Sequence, residues 1–380
     1  MAFTGVTFGT GVTVTSGITV NGYYTGAVIF GLTTTPGVEA YAWNSVTGFG
    51  AKYSAPSSPP QSNYSMLGAA ASPTGSAVAV AGGFNNGSTL TPRLYGYQWT
   101  NTSGFGTAYT EPGTYPNDTF YNDMAWSPQN NAVAIATGSG VIGGSGRVYA
   151  YLWDPVTGWS TRFNTTSLGS STSGQSVCFS TSGNAIIMGY TAGIAAYPWS
   201  TSTGFGTRYT NPTGVSNAYY NGVAFNAAGT AFVGAHNGNT PWIDAWAWDD
   251  STGFGTKYSN PASPPTGTNP SGNAVVFTPN DDAVIMGVSA STSPYIAAWA
   301  WNNTTGFGTK YSNPSTALPY SSDRMAMSPD GKAVIVTRTS TSPYVTAYAW
   351  NSATGFGTKY ADPTVAPTAA IRSVTFVPGN

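Results

Sequence analysis

The chain has 380 residues, of which 41% are hydrophobic, 14% aromatic and only 7% charged, and its net charge is −1. A chain so apolar is not a disordered one, and without clustered Lys and Arg it has no electrostatic footprint for nucleic acid. Leu occurs seven times and Glu twice, so straight-chain helix formers are scarce beside Thr, Val, Tyr and Trp, and the chain reads as all-β.

The first twenty residues lack a basic segment followed by a continuous apolar one, and no apolar run of 18 residues occurs anywhere. Cytoplasmic synthesis without a signal peptide and without membrane insertion is therefore expected. Val6, Phe8, Val12, Val14, Ile18 and Val20 stand at even spacing, as in a strand that adds to a partner's sheet. Residues 1–26 are expected to form an attachment or strand-exchange arm, and residues 27–380 the folded domain. The lone Cys178 can form no internal disulfide and no thiolate metal site, so the core must hold the fold.

From residue 27 onward the chain repeats itself. YAWNSVTGFGAKY at 41–53 returns as YQWTNTSGFGTAY at 97–109, YLWDPVTGWSTRF at 151–163 and YPWSTSTGFGTRY at 197–209. It returns again as WAWDDSTGFGTKY at 246–258, WAWNNTTGFGTKY at 299–311 and YAWNSATGFGTKY at 348–360. The anchors Trp43, Trp99, Trp153, Trp199, Trp248, Trp301 and Trp350 are spaced by 56, 54, 46, 49, 53 and 49 residues on subtraction. A period near 50 with four short strand-like runs predicts a seven-bladed β-propeller of four-stranded antiparallel blades, whose radial closure leaves only short edges. Residues 373–380 match the inner strand and turn of other repeats but lack following strands, and the first repeat lacks an inner strand. The C-terminal strand is therefore expected to close the ring, in preference to residues 5–11.

Within each third strand an aromatic precedes the Trp by two positions, so both rings share a face and are expected to pack blade against blade. Trp126, Phe179, Phe225, Phe277, Met327 and Phe376 hold equivalent inner-strand places. Lys52, Arg162, Arg208, Lys257, Lys310 and Lys359 recur in the outermost strand, where exposed charge would discourage edge pairing.

Little points to catalysis. His236, the only histidine, reads as a loop residue, and Asp249-Asp250 and Asp281-Asp282 read as turn residues. Gly138-x-Gly140-x-x-Gly143 matches a dinucleotide string but lies between two strands with no helix behind it. No cofactor, metal or catalytic residue is expected, and with Glu39 and Glu111 the only glutamates a paired-carboxylate glycosidase finds little support. Two groups of binding candidates remain. Asn122, Gln175, Asn221, Asn273, Asp323 and Arg372, with Leu67, begin the inner strands and should line the mouth of the central channel. Tyr64, Tyr121, Tyr220, Trp242, Tyr295, Tyr320 and Tyr344 fall in loops at the same end, where exposed rings amid amides and hydroxyls suit glycan or protein contact.

The Trp-Asp pairs at Trp153 and Trp248 and the Ser-Pro-Asp-Gly turn at 328–331 resemble WD40-type propellers, and the TGFGTKYSNP repeat resembles propeller-repeat proteins of bacteriophages. That resemblance implies a non-enzymatic virion surface protein, on a capsid or tail, joined to other virion proteins through residues 1–26 and presenting a face to a host glycan or receptor. A carbohydrate-binding propeller lectin is the second expectation.

Overall fold

The computed structural model describes residues 23–85, 90–115, 119–139, 147–165, 168, 172–266 and 268–379. The described residues form seven four-stranded antiparallel sheets, and every sheet follows chain order except one. In that sheet the C-terminal strand Ile371–Val377 is innermost, followed by Thr25–Leu32, Val38–Asn44 and Gly48–Lys52. The last strand completes blade one, as the sequence predicts. Blades two to seven follow, with inner strands Ser65–Ala71, Thr119–Trp126, Gly174–Phe179, Tyr220–Phe225, Ser271–Phe277 and Arg324–Met327. Each inner strand touches those of both adjacent blades, including blade seven's against blade one's. They surround a central axis.

The expected arm, residues 1–26, lies mostly outside the described residues. Its last residues belong to the ring: Tyr24 is buried, its N–H donates to Asp330 Oδ2 of blade seven at 2.7 Å, and its ring meets Phe376 edge-on.

Alternation along each strand sends neighbouring side chains to opposite blades. Val28 and Phe30 pack toward blade seven with Ile335, while Ala27 and Ile29 pack toward blade two with Val80. The recurring sequence acts as a clamp between blades. Tyr53 at the end of blade one's outer strand meets Trp99 of blade two at 5.0 Å, and its hydroxyl donates to the Asn101 carbonyl at 2.6 Å. Tyr258 does the same to Trp301 and Asn303, and Tyr360 closes the circle on Trp43 and the Ser45 carbonyl. The repeat's first glycine makes room for this tyrosine. At Gly306 φ is +80°, and a Cβ would meet the Tyr258 ring at 2.9 Å. Gly306→Ala is accordingly expected to destabilise the fold by about 2–3 kcal/mol, through left-handed strain and the clash together, as a denaturant melt would show.

The recurring basic residues do not serve as free edge charges. Lys52 pairs with buried Glu39 at 2.6 Å and Lys257 with buried Asp244 at 2.6 Å, while Lys310 donates to the Pro264 carbonyl at 3.2 Å. In these three the ammonium holds a neighbouring group rather than standing free at the sheet edge.

Candidate functional site in the axial channel

The inner strands begin with a repeated irregularity. In blades two to six the pairing of the first and second strands slips by one residue, at Leu67, Asn122, Gln175, Asn221 and Asn273. Blade one shows the same slip at Arg372. A bulge of this kind re-aims the extra side chain, here toward the axis, and lets consecutive residues border the channel. The expected mouth ring is thus formed largely by bulged residues.

Its members differ in what they do. Asn122 Nδ2 donates to the Gly174 carbonyl at 2.7 Å, Asn221 Nδ2 to Gly272 at 3.1 Å, and Asn273 Nδ2 to Ser322 at 2.9 Å. These three amides stitch each blade to the next. Gln175 instead turns back on Ser173. Across blades seven, one and two the ring residues are Asp323, Arg372 and Leu67, and a cavity of about 350 Å³ opens beside them. Thr33, Ser65, Phe120, Asn122, Gln175 and Arg324 complete its wall. This volume lies in the range that holds a small molecule.

One residue deeper, the ring is made of Gly68, Asp123, Ser176, Gly222, Ala274, Arg324 and Ser373. Five of these are small because the strands converge: a Cβ on Gly68 would meet the Met124 backbone nitrogen at 2.8 Å, and one on Gly222 would meet Ala274 Cα at 2.8 Å. Against that background Asp123 and Arg324 are exceptional. Both line a second, lower cavity of about 140 Å³, otherwise walled by residues such as Ser176, Asn221, Val223 and Met325. Part of the Asp123 surface faces this cavity, yet protein packs densely around it. Burial raises its carboxyl from the ordinary 3.8 to about 6, against the opposing pull of the Arg324 charge and of backbone N–H groups, among them Val177 at 3.0 Å. Arg324 donates through Nη1 to the Asp323 carbonyl at 3.2 Å, and its Nε is buried without a hydrogen-bond partner. A carboxyl raised by burial and an incompletely satisfied guanidinium lining the same cavity are the kind of groups proton-transfer chemistry uses.

The aromatic candidates fare differently. Tyr64, Tyr121 and Tyr220 are 8%, 0% and 0% exposed; the last two immediately precede the bulge and turn into the core between blades. Trp242, Tyr295 and Tyr344 are half-buried, the last two packed on core clusters, and only Tyr320 of the seven is exposed, at 44%. The expected exposed aromatic face is corrected accordingly. Gly140 and Gly143 lie outside the described residues.

His236 is also corrected: it ends the strand Ala231–His236 and is fully buried. Its Nε2 lies 3.3 Å from Asp244 Oδ2, which also accepts the Tyr220 hydroxyl at 2.6 Å. Burial alone would push Asp244 up, but the neighbouring His236 and the contacts from Lys257 and the Tyr220 hydroxyl outweigh it and hold the carboxyl at about 2. A carboxyl held below its ordinary value stabilises the fold above about pH 4, and that contribution is lost as pH falls through about 2. Asp244→Asn should therefore cost about 2–3 kcal/mol at pH 7 and progressively less in acid, measured by urea melts across pH. The cluster is sealed, and its role is structural.

No protein-family model and no curated protein matches the sequence. Solved structures do. A candidate 6-phosphogluconolactonase of Bacteroides fragilis superposes with a TM-score of 0.72 at 12% identity over 93% of this chain and 98% of its own. A second from Bacteroides uniformis gives 0.72 at 15%, over 93% and 99%. The periplasmic gluconolactonase of Pseudomonas aeruginosa gives 0.68 at 12%, again over 93% and 99%. The fold is a seven-bladed β-propeller. At these identities the likeness shows the fold alone. The expectation of a non-enzymatic virion protein, with a lectin as second reading, is corrected to this extent: these similar propellers are described as lactonases and not as virion proteins.

Proposed function

We propose that the chain is a hydrolase that opens small, hydroxyl-rich lactones in its axial channel. The observation that carries this is that Asp123 and Arg324 line one narrow cavity on the axis, at a ring position where the other five blades carry Gly, Ala or Ser, and burial there pushes the Asp123 carboxyl up to about 6. Ionised Asp123 takes a proton from water as the water oxygen bonds to the lactone carbonyl carbon, and the Arg324 guanidinium offsets charge developing on the carbonyl oxygen. The ring C–O bond then breaks, and protonated Asp123 returns its proton to the departing alkoxide, giving the hydroxy acid and the resting carboxylate. Asn122 and Gln175 line the cavity, where their amides suit substrate hydroxyls, and exposed Arg372 at the rim attracts an anionic substituent. The lactonase descriptions of similar propellers support this reading.

The test is acid release from glucono-1,5-lactone and its 6-phosphate, followed by pH-stat against spontaneous opening. Turnover of either above background is expected, with Arg372→Ala raising KM about tenfold for the phosphorylated substrate and leaving kcat nearly unchanged. No acceleration of either lactone would overturn the proposal.

A further inference from the structure

At the mouth ring one residue breaks the pattern of its counterparts. Asn122, Asn221 and Asn273 each donate an amide hydrogen to a carbonyl of the next blade. Asp323 holds the same ring position in blade seven, and a carboxylate, which only accepts, cannot make that bond. Leu67 at this position in blade two shows that the fold does not demand a polar group there. The Asp323 backbone is fixed, since its N–H donates to the Thr337 carbonyl at 2.9 Å, and the half-buried residue lines the upper cavity. Among the described residues it is the one acidic side chain with no hydrogen bond or ion pair; every other, from Glu39 and Asp123 to Asp281 and Asp362, has at least one.

We infer that Asp323 is a specificity-determining residue of the upper cavity: its two carboxylate oxygens accept hydrogen bonds from hydroxyls on adjacent carbons of the substrate, so the channel selects vicinal diols. The inference rests on the reading of the channel as a lactone site and adds what chooses the lactone. A cationic donor is disfavoured, because Arg324 and Arg372 line the same cavity. Neutral hydroxyls suit it, and Thr33, Ser65, Asn122 and Gln175 add hydroxyls and amides to the wall that complement a polyol. Two oxygens on one carbon can serve hydroxyls on neighbouring ring carbons together, and bonds to a charged acceptor are the stronger kind. A lactone without hydroxyls leaves the carboxylate unpaired as it displaces solvent, which is how such a site rejects an analogue. An anionic substituent is kept from Asp323 by like charge and directed to Arg372, which fixes the way the ring enters.

The probe is 1,5-anhydroglucitol, an uncharged hydroxyl-bearing ring that the enzyme cannot hydrolyse, with tetrahydropyran as the same ring without hydroxyls. Titration of the full chain followed by ligand NMR should show binding of the first and not of the second. Asp323→Leu should weaken that binding about tenfold. The ratio of kcat/KM for glucono-1,5-lactone to that for δ-valerolactone should fall about as much in this variant, chiefly through KM for the hydroxylated substrate. Asp323→Asn should also lose affinity while melting no lower than the parent, because asparagine can donate to the next blade as its three counterparts do. Absence of anhydroglucitol binding, equal binding of the two rings, unchanged affinity in both variants, or a markedly lower melting temperature in Asp323→Asn would overturn the inference, the last by giving the carboxylate a structural role. Lactone turnover with unchanged selectivity in Asp323→Leu removes only this inference. Anhydroglucitol binding that depends on Asp323, without lactone turnover, removes only the hydrolase proposal.

Discussion

Asp123→Asn should make the protein more stable and nearly inactive at once. In the folded chain the carboxyl titrates near about 6 rather than 3.8, so the native state holds the proton more tightly than the unfolded one. Stability therefore falls as pH rises from about 4 to about 6, and the full deficit is present above that range. The difference corresponds to about 3 kcal/mol. The asparagine variant keeps the shape without the buried charge. It should melt several degrees higher at pH 8 and at the same temperature as the parent below about pH 4. Over the same neutral range it should open lactones about a thousandfold more slowly, the usual scale for losing a general base. A site group retained against its own cost in stability is what a functional carboxyl looks like; a destabilised Asp123→Asn would mark Asp123 as a structural ligand of the Val177 N–H.

Removal of residues 371–380 should abolish cooperative folding. That segment is the inner strand of blade one, paired with Thr25–Leu32, and it brings Ile371, Phe376 and Val377 into the core. Burial of three such side chains contributes about 5–8 kcal/mol, comparable to the whole net stability of a domain. The ring would also lose the strand that touches blades seven and two. Tyr360→Phe, by contrast, deletes only the hydrogen bond to the Ser45 carbonyl across the same seam and should cost about 1 kcal/mol. A shortened chain with a sharp melting transition would show that the clamps close the ring unaided.

The repeat made the fold legible in the sequence because each blade uses the same aromatic anchors, so that Trp43 and Trp350 could be aligned without any knowledge of the structure. The mouth ring was legible for the same reason, by counting back from the turn after each inner strand. What counting could not show was the bulge. It leaves no mark in residue type, and it decides that Tyr121 enters the core while Asn122 and Asp123 both reach the channel. Asp123 and Arg324 lay one alignment column deeper, where the other five blades carry Gly, Ala or Ser. Two charges in a column of small residues were a readable signal. His236 was obscured by the HNGNTP string after it, since a strand that ends on a buried polar residue resembles the start of a loop.

The most direct test is the pH dependence of kcat/KM for lactone opening by the parent chain and by Asp123→Asn, corrected for spontaneous hydrolysis. An ascending limb with an apparent pKa of about 6 is expected in the parent and absent in the variant. A flat profile in the parent, or the same limb in both proteins, would contradict the assignment of Asp123 as the base.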